Sequence, residues 1–401
     1  MTPDRIVVVG ASAAGLAVAE SARSAGYQGA LTLIGAEPHS PYDRPPLSKQ
    51  YLTGEWDADA LALRPPAELS RLAIDLRLGV PAEGLDMEAS TVQLADGSQA
   101  SYDALVIATG TQARRLPGTD GIAGVHVLRE LDDARALRTA LLGGGHLVVI
   151  GAGVLGMEAA AVARRLDLHV TVVDPLPLPM MRVVGASIGQ FLAELHREND
   201  VDLRCGVGVE RLETDNRQVH AVRLATGEVL PADFVLVAIG ATPSVEWLAG
   251  SAVPIGGPGR EEGAGGVLCS NNGRSVDNVW AAGDVAAWRL PDDTGYRRVE
   301  HRLNASEQGR AVARSILDPQ YVPPASVPYF WSDQYDVKIQ SYGIPGATDD
   351  FVIVDGSLTD RRFVGAYVRD GVVTAALGVG MARSLRAWRA RIGSPMQVPV
   401  A

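Results

Sequence analysis

The residues whose spacing carries the most chemistry are glycines. Gly151-Ala-Gly153-Val-Leu-Gly156 follows the apolar run His146-Leu-Val-Val-Ile150 and opens an alanine-rich stretch. In such a turn the first glycine permits the tight bend and the second lets the backbone approach a pyrophosphate; the third lets helix pack on strand. The phosphates then sit at the helix start, where unpaired N–H groups and the positive end of the dipole favour anions. Asp174 lies about 20 residues on, at the end of the next strand, placed to accept hydrogen bonds from a ribose diol. An acid there also repels a 2′-phosphate, and Pro175-Leu-Pro-Leu-Pro179 supplies no adjacent arginine. The expected nucleotide is therefore NADH rather than NADPH, with Arg182 the nearest cation.

The same pattern occurs once earlier. Gly10-Ala-Ser12-Ala13-Ala14-Gly15 stands after Arg5-Ile-Val-Val-Val9, and Glu37 is the matching acid. Serine at the middle position strains a close phosphate approach without blocking it, and its hydroxyl offers a hydrogen bond. Pro41-Tyr-Asp-Arg44-Pro-Pro-Leu-Ser-Lys49 presents two cations from a proline-stiffened loop, facing a pyrophosphate, a flavin or simply solvent. Asn278-Val-Trp-Ala-Ala-Gly283-Asp284 ends an apolar run on a carboxylate that can accept a hydrogen bond from a sugar-alcohol hydroxyl such as ribitol.

The elements that must hold these residues form an α/β pattern. Strands are expected at Arg5–Gly10 and Ala30–Ile34, and again at His146–Ile150 and His169–Val173. Helices are expected at Ala13–Ala25 and Val154–Leu166, so a dinucleotide-binding unit is duplicated within the chain. Asp103–Gly110, which carries Thr109 and Gly110, and Asp233–Gly240 each close one Rossmann unit. Val276–Asp284 reads as a further strand and Asn304–Leu317 as a helix. Past the proline-rich stretch 319–328, alternating Tyr, Phe, Val and Trp predict a small antiparallel sheet, followed by a helix over about 381–391.

Composition narrows the function classes. With 401 residues, 47% hydrophobic and 21% charged, the chain can bury cores for two or three domains. A net charge of −11 disfavours nucleic acid and anionic membranes as partners. The short run Ile6–Val9 is no signal segment, and no apolar stretch approaches a membrane span, so a cytoplasmic protein is expected. Cys205 and Cys269 are the only cysteines and form no close pair, which removes metal-thiolate clusters and a redox-active dithiol. A disulfide, CoA-disulfide or peroxide reductase is excluded further, because the loop that would carry its cysteine reads Tyr42-Asp43-Arg44.

Taken together, PYDRPPLSK, VIATG, GAGVLGMEAA, VWAAGDVA, VEHRLNASEQGRAVA and PYFWSDQYDVKIQSYG resemble the FAD-dependent, NADH-using ferredoxin reductases of bacterial oxygenase systems, a group with a glutathione-reductase-like fold. The resemblance covers nearly the whole chain. It implies an FAD domain of residues 1–112 and 243–322, an NAD domain of 113–242 inserted into it, and a small α+β C-terminal domain of 323–401. On matching positions it implies FAD contacts at Gly10, Ser12, Gly15, Glu37, Arg44, Lys49, Ala82, Arg129, Asp284 and Trp331. It likewise implies NAD contacts at Gly151, Gly153, Val154, Leu155, Glu158, Asp174 and Gly240. The implied reaction passes hydride from NADH to flavin N5, then single electrons to a 2Fe-2S ferredoxin that feeds a haem-thiolate monooxygenase or a Rieske dioxygenase. Lys49 and Glu158 are implied beside the flavin, where an ion pair could stabilise reduced flavin or gate nicotinamide entry; as a bare helix first-turn acid, Glu158 would contribute only ~0.3–1 kcal/mol. An acidic ferredoxin needs a basic docking face, for which Arg289, Arg297, Arg298, Arg302, Arg310, Arg383, Arg386, Arg389 and Arg391 are candidates. A rubredoxin reductase differs only in its acceptor, and a scaffold like apoptosis-inducing factor is the non-enzymatic alternative.

Overall fold

Strands buried on both faces read as unbroken apolar runs, and Arg5–Val9 and His146–Ile150 each lie inside a parallel sheet for that reason. The computed structural model describes residues 2–259, 262–290, 295–346 and 348–396. Its chain forms two units, each assembled from three segments.

The first unit comprises Met1–Asp43, Leu61–Gln112 and Thr242–Pro328. Its six-stranded sheet has the order Arg274–Val276, Val279–Ala281, Ala104–Ile107, Arg5–Val9, Ala30–Gly35, Asp75–Leu78. Side chains alternate across the strand, so Ile6 and Val8 join one core with Ala14, Val18 and Val312, while Val7 and Val9 join another with Val92, Leu105 and Ile107. The first core is filled by helix Ala13–Ser24 and helix Arg302–Leu317. Small residues let these two approach closely: a Cβ on Gly309 would lie 2.4 Å from the carbonyl oxygen of Ala14.

The second unit comprises Arg44–Ala60, Ala113–Ala241 and Tyr329–Ala401. It holds a five-stranded parallel sheet in the order Val201–Cys205, His169–Asp174, His146–Ile150, Phe234–Val237, Val125–His126. Helix Val154–Arg165 follows the third of these strands, as helix Ala13–Ser24 follows Arg5–Val9. The duplication read from sequence is thus structural, with strand, turn and twelve-residue helix in both copies. The tail forms the expected antiparallel sheet of five strands, and helix Ala382–Arg389 buries Leu385 and Trp388 in its core.

Two expectations need correction. The single strand over 276–284 is instead a hairpin, Arg274–Val276 and Val279–Ala281, because the chain reverses at Asp277-Asn278. The closing strands are shorter than read, Ala104–Ile107 and Phe234–Val237; the glycines beyond them, Gly110 and Gly240, have φ of +70° and +97° and turn the chain away. Residues 44–60 lie in the second unit with 113–241 and 329–401.

The close helix pair makes a direct test. Gly309→Val should destabilise the protein by roughly 1–3 kcal/mol through overpacking, read as a lower chemical-denaturation midpoint. An unchanged midpoint would show that the pair yields without cost.

Candidate functional site

Both glycine turns are built by the same steric logic. Gly10 and Gly151 have φ of +121° and +109°, which only glycine adopts readily. A Cβ on either would lie 2.0 Å from the Ala108 carbonyl oxygen or 2.3 Å from that of Ala238. Each donates its N–H across the sheet, Gly10 to Ile34 at 2.7 Å and Gly151 to Val173 at 2.8 Å. The third glycines seat the helices: a Cβ on Gly15 or Gly156 would lie 1.9 or 2.0 Å from the turn's own carbonyl. At the middle positions Ser12 and Gly153 are the N-caps; neither helix has a side-chain cap bond or an acid in its first turn. No atom lies within 4 Å of a Cβ built on Gly153. An uncapped helix start facing open space, reached by backbone N–H groups alone, fits the pyrophosphate of a dinucleotide.

In the first unit two of the expected residues, Thr109 and Gly283, abut the turn that begins at Gly10. Thr109 borders it, and the Thr109 hydroxyl donates to the Ser244 carbonyl at 2.8 Å, while Gly110 accepts from the Ser244 N–H. Gly283 fits against Ala14, where a Cβ would lie 2.9 Å away, so Asp284 sits beside the helix that Ala13 begins. The half-buried Glu37 accepts a hydrogen bond from the Tyr42 hydroxyl at 2.5 Å. Its carbonyl takes the Gly79 N–H, which brings the strand beginning at Ala82 close by.

The second unit holds the remainder. Asp174 is fixed by backbone: Ala152 N–H donates to Oδ2 and Leu176 N–H to Oδ1, both at 2.8 Å. Arg182 is exposed in the first turn of helix Met181–Glu198, whose N-cap Met180 donates its N–H to the Ala152 carbonyl. Acid and cation therefore flank the same turn. Gly240 lies beyond strand Phe234–Val237, with open space around it. Arg44, Lys49, Arg129 and Trp331, expected with the flavin set, lie in this unit. Arg44 donates to the Arg129 carbonyl at 3.3 Å, and Trp331 is half-buried and stacked on Tyr329.

Lys49 and Glu158, 109 positions apart, meet in the interior. Lys49 Nζ lies 2.7 Å from Glu158 Oε2, with side chains 10% and 4% exposed. The Ser48 hydroxyl donates to the same oxygen at 2.5 Å, and the Ser332 hydroxyl donates to Oε1 at 2.8 Å. Glu158 is the fifth residue of its helix, past the first turn, so the helix dipole does not account for it. A buried ion pair is tolerated only when such donors complete it. Ser48, Ser332, Gln334 and His196 were not anticipated. Ser48 adjoins Lys49, but Ser332 and Gln334 are polar at inward strand positions where the alternation predicts apolar residues, and His196 is a buried polar residue on a helix.

Burial works against either thiol as a nucleophile. Burial first, then the charge of Asp174, pushes Cys205 up to about 11, and burial pushes Cys269 up further. Among the described residues no metal-ligating cluster occurs.

Residues 4–309 match the family described as pyridine nucleotide-disulphide oxidoreductase, and residues 329–401 match the family described as reductase C-terminal. The chain belongs to the pyridine nucleotide-disulphide oxidoreductase family. Within it, rhodocoxin reductase from Rhodococcus erythropolis is 37% identical over 350 residues, 87% of this chain and 80% of that protein. The ferredoxin–NAD(+) reductase component of a biphenyl dioxygenase system from Paraburkholderia xenovorans is 35% identical, covering 98% of this chain and 94% of its own. The solved covalent complex of putidaredoxin reductase with putidaredoxin contains a chain matched with a TM-score of 0.90 at 32% identity, over 97% of this chain and 93% of that one.

One consequence concerns pH. Burial pushes the His196 imidazole down from 6.5 to about 4. Between those values the unfolded chain binds a proton that the folded chain excludes, so stability falls as pH drops through that window. His126 and His146 are lowered in the same sense by burial. The melting temperature should decline from pH 7 to pH 4.5, less steeply in His196→Gln, whose side chain does not titrate; equal slopes would refute this assignment.

Proposed function

We propose that this chain is an NADH-dependent ferredoxin reductase, supplying electrons to a 2Fe-2S ferredoxin that serves a monooxygenase or dioxygenase. The observation that carries the reading is the duplicated glycine turn, each copy at an uncapped helix start, in a chain whose two thiols are both held protonated. Two such turns suit two dinucleotides, and the chain's two cysteines form no close pair that could act as a dithiol. Bound FAD supplies the conversion of a hydride pair into single electrons. The names of the relatives support the acceptor, since one is the ferredoxin–NAD(+) reductase component of a dioxygenase system and another was solved covalently joined to putidaredoxin.

The proposed FAD set is Gly10, Ser12, Ala13, Ala14, Gly15, Glu37, Ala82, Thr109, Gly110, Gly283 and Asp284, completed by Arg44, Lys49, Arg129 and Trp331. The proposed NADH set is Gly151, Gly153, Val154, Leu155, Gly156, Glu158, Asp174, Arg182 and Gly240. The three-domain division at 112/113, 242/243 and 322/323 belongs to the same reading, as does a cytoplasmic location; among the described residues no helix is long and apolar enough to cross a membrane. Lys49 and Glu158 act on the reaction: Lys49 brings a positive charge where negative charge accumulates, and Glu158 holds it in place.

Lys49→Ala and Glu158→Ala should each slow the bleaching of flavin absorbance by NADH in stopped flow at least about tenfold. If both variants bleach at the wild-type rate, the pair has no part in the reaction. For the protein partner, Arg383, Arg386 and Arg389 are exposed on helix Ala382–Arg389 and form a basic face. Arg302 and Arg298, by contrast, are already paired with Asp43 and Glu300. An Arg383→Glu/Arg386→Glu variant should lose about tenfold or more in ferredoxin-dependent cytochrome c reduction while keeping ferricyanide reduction. Equal loss in both assays would remove this helix from the docking face.

A further inference from the structure

The inner face of strand Tyr329–Gln334 is chemically unusual. Its inward residues are Phe330, Ser332 and Gln334, and the last two are 0% exposed, as is His196 on helix Met181–Glu198. An apolar face would be cheaper to bury, so these groups persist only if each is bonded. They are bonded in a line. The His196 ring Nε2 lies 2.8 Å from Gln334 Oε1, Gln334 Nε2 lies 3.0 Å from Ser332 Oγ, and Ser332 Oγ lies 2.8 Å from Glu158 Oε1. At the far end the Tyr335 hydroxyl lies 3.2 Å from His196 Nδ1.

The direction of this line follows from its terminus. A carboxylate paired with the Lys49 ammonium has no proton to give, so the single Ser332 proton points to Glu158. Ser332 Oγ must then accept, which turns the Gln334 amide nitrogen toward it and the amide oxygen toward His196. That oxygen carries no proton, so His196 donates from Nε2, and its bare Nδ1 accepts from Tyr335. The dry surroundings favour the neutral ring this requires. A glutamine amide does not relay protons, so the line conducts nothing; what it fixes is orientation.

We infer that Ser332, Gln334 and His196 are positioning residues, a one-way chain of donors that locks the Glu158 carboxylate in the orientation that holds Lys49. The inference rests on the reading of Lys49 and Glu158 as the ion pair that acts on the reaction.

The test has a static arm and a kinetic arm. In holoenzyme with 15N-labelled histidine rings, the signals lost in His196→Gln should report a neutral ring protonated on Nε2. Protonation on Nδ1 overturns the chain. Gln334→Glu keeps the shape but removes the donor to Ser332, and it should slow flavin reduction by NADH roughly 3- to 10-fold, as should Ser332→Ala. Ser332→Thr, which retains the hydroxyl, should restore most of the rate. In a Glu158→Ala background, Ser332→Ala should cost nothing further. If it repeats its full loss there, Ser332 acts through general packing and the positioning role falls. Should Glu158→Ala alone leave the rate unchanged, the underlying site reading falls instead. The two failures are distinguishable, because the tautomer is read with no NADH present.

Discussion

A charged carboxylate in a dry interior must be surrounded by donors, and Glu158 imposes that requirement on the second unit. Its partners come from a proline-stiffened loop and from a strand nearly 300 residues further along. Loop, helix and strand must therefore be in register before the charge is tolerated. The same strand presents Ser332 and Gln334 inward, which leaves Trp331 on its opposite face. One buried charge thus fixes the direction of side chains that never touch it.

The glycine turns solve the opposite problem, leaving polar groups unpaired where a ligand can use them. Helices Ala13–Ser24 and Val154–Arg165 begin with bare N–H groups, held against their strands only because no Cβ intervenes at Gly15 or Gly156. Phosphate recognition at such helix starts is a property of the backbone, and Ser12 and Gly153 are both extended N-caps with no side-chain cap bond. The family is named for disulphide chemistry, yet both thiols here are pushed toward the protonated form by burial. What the two turns share with the family is the handling of dinucleotides.

Most of the frame was legible because it repeats. Strand, Gly-x-x-x-x-Gly turn, helix and terminal acid recur with the same spacing, and Arg5–Val9 and His146–Ile150 fall where the β-branched runs placed them. Boundaries near glycine were less legible, as at Gly110 and Gly240, since an apolar run does not disclose where φ turns positive. The hairpin at 274–281 was missed because its turn, Asp277-Asn278, lies inside a run that reads as continuous. The polar line behind Glu158 was invisible for a different reason. Its members are far apart in sequence, and a buried serine or glutamine looks like a surface residue until its partner is known.

The three-segment construction of each unit also has a temporal side. Strand Ala104–Ile107 pairs on one side with Arg5–Val9, but its other neighbour, Val279–Ala281, is translated about 170 residues later. Until that segment leaves the ribosome, the strand presents an open edge of the kind that invites pairing with another chain. The second unit waits longer still, since Ser332 must arrive before Glu158 has its full set of donors. The arrangement that brings distant residues together in the finished enzyme leaves a wholly apolar strand unguarded while the enzyme is being made.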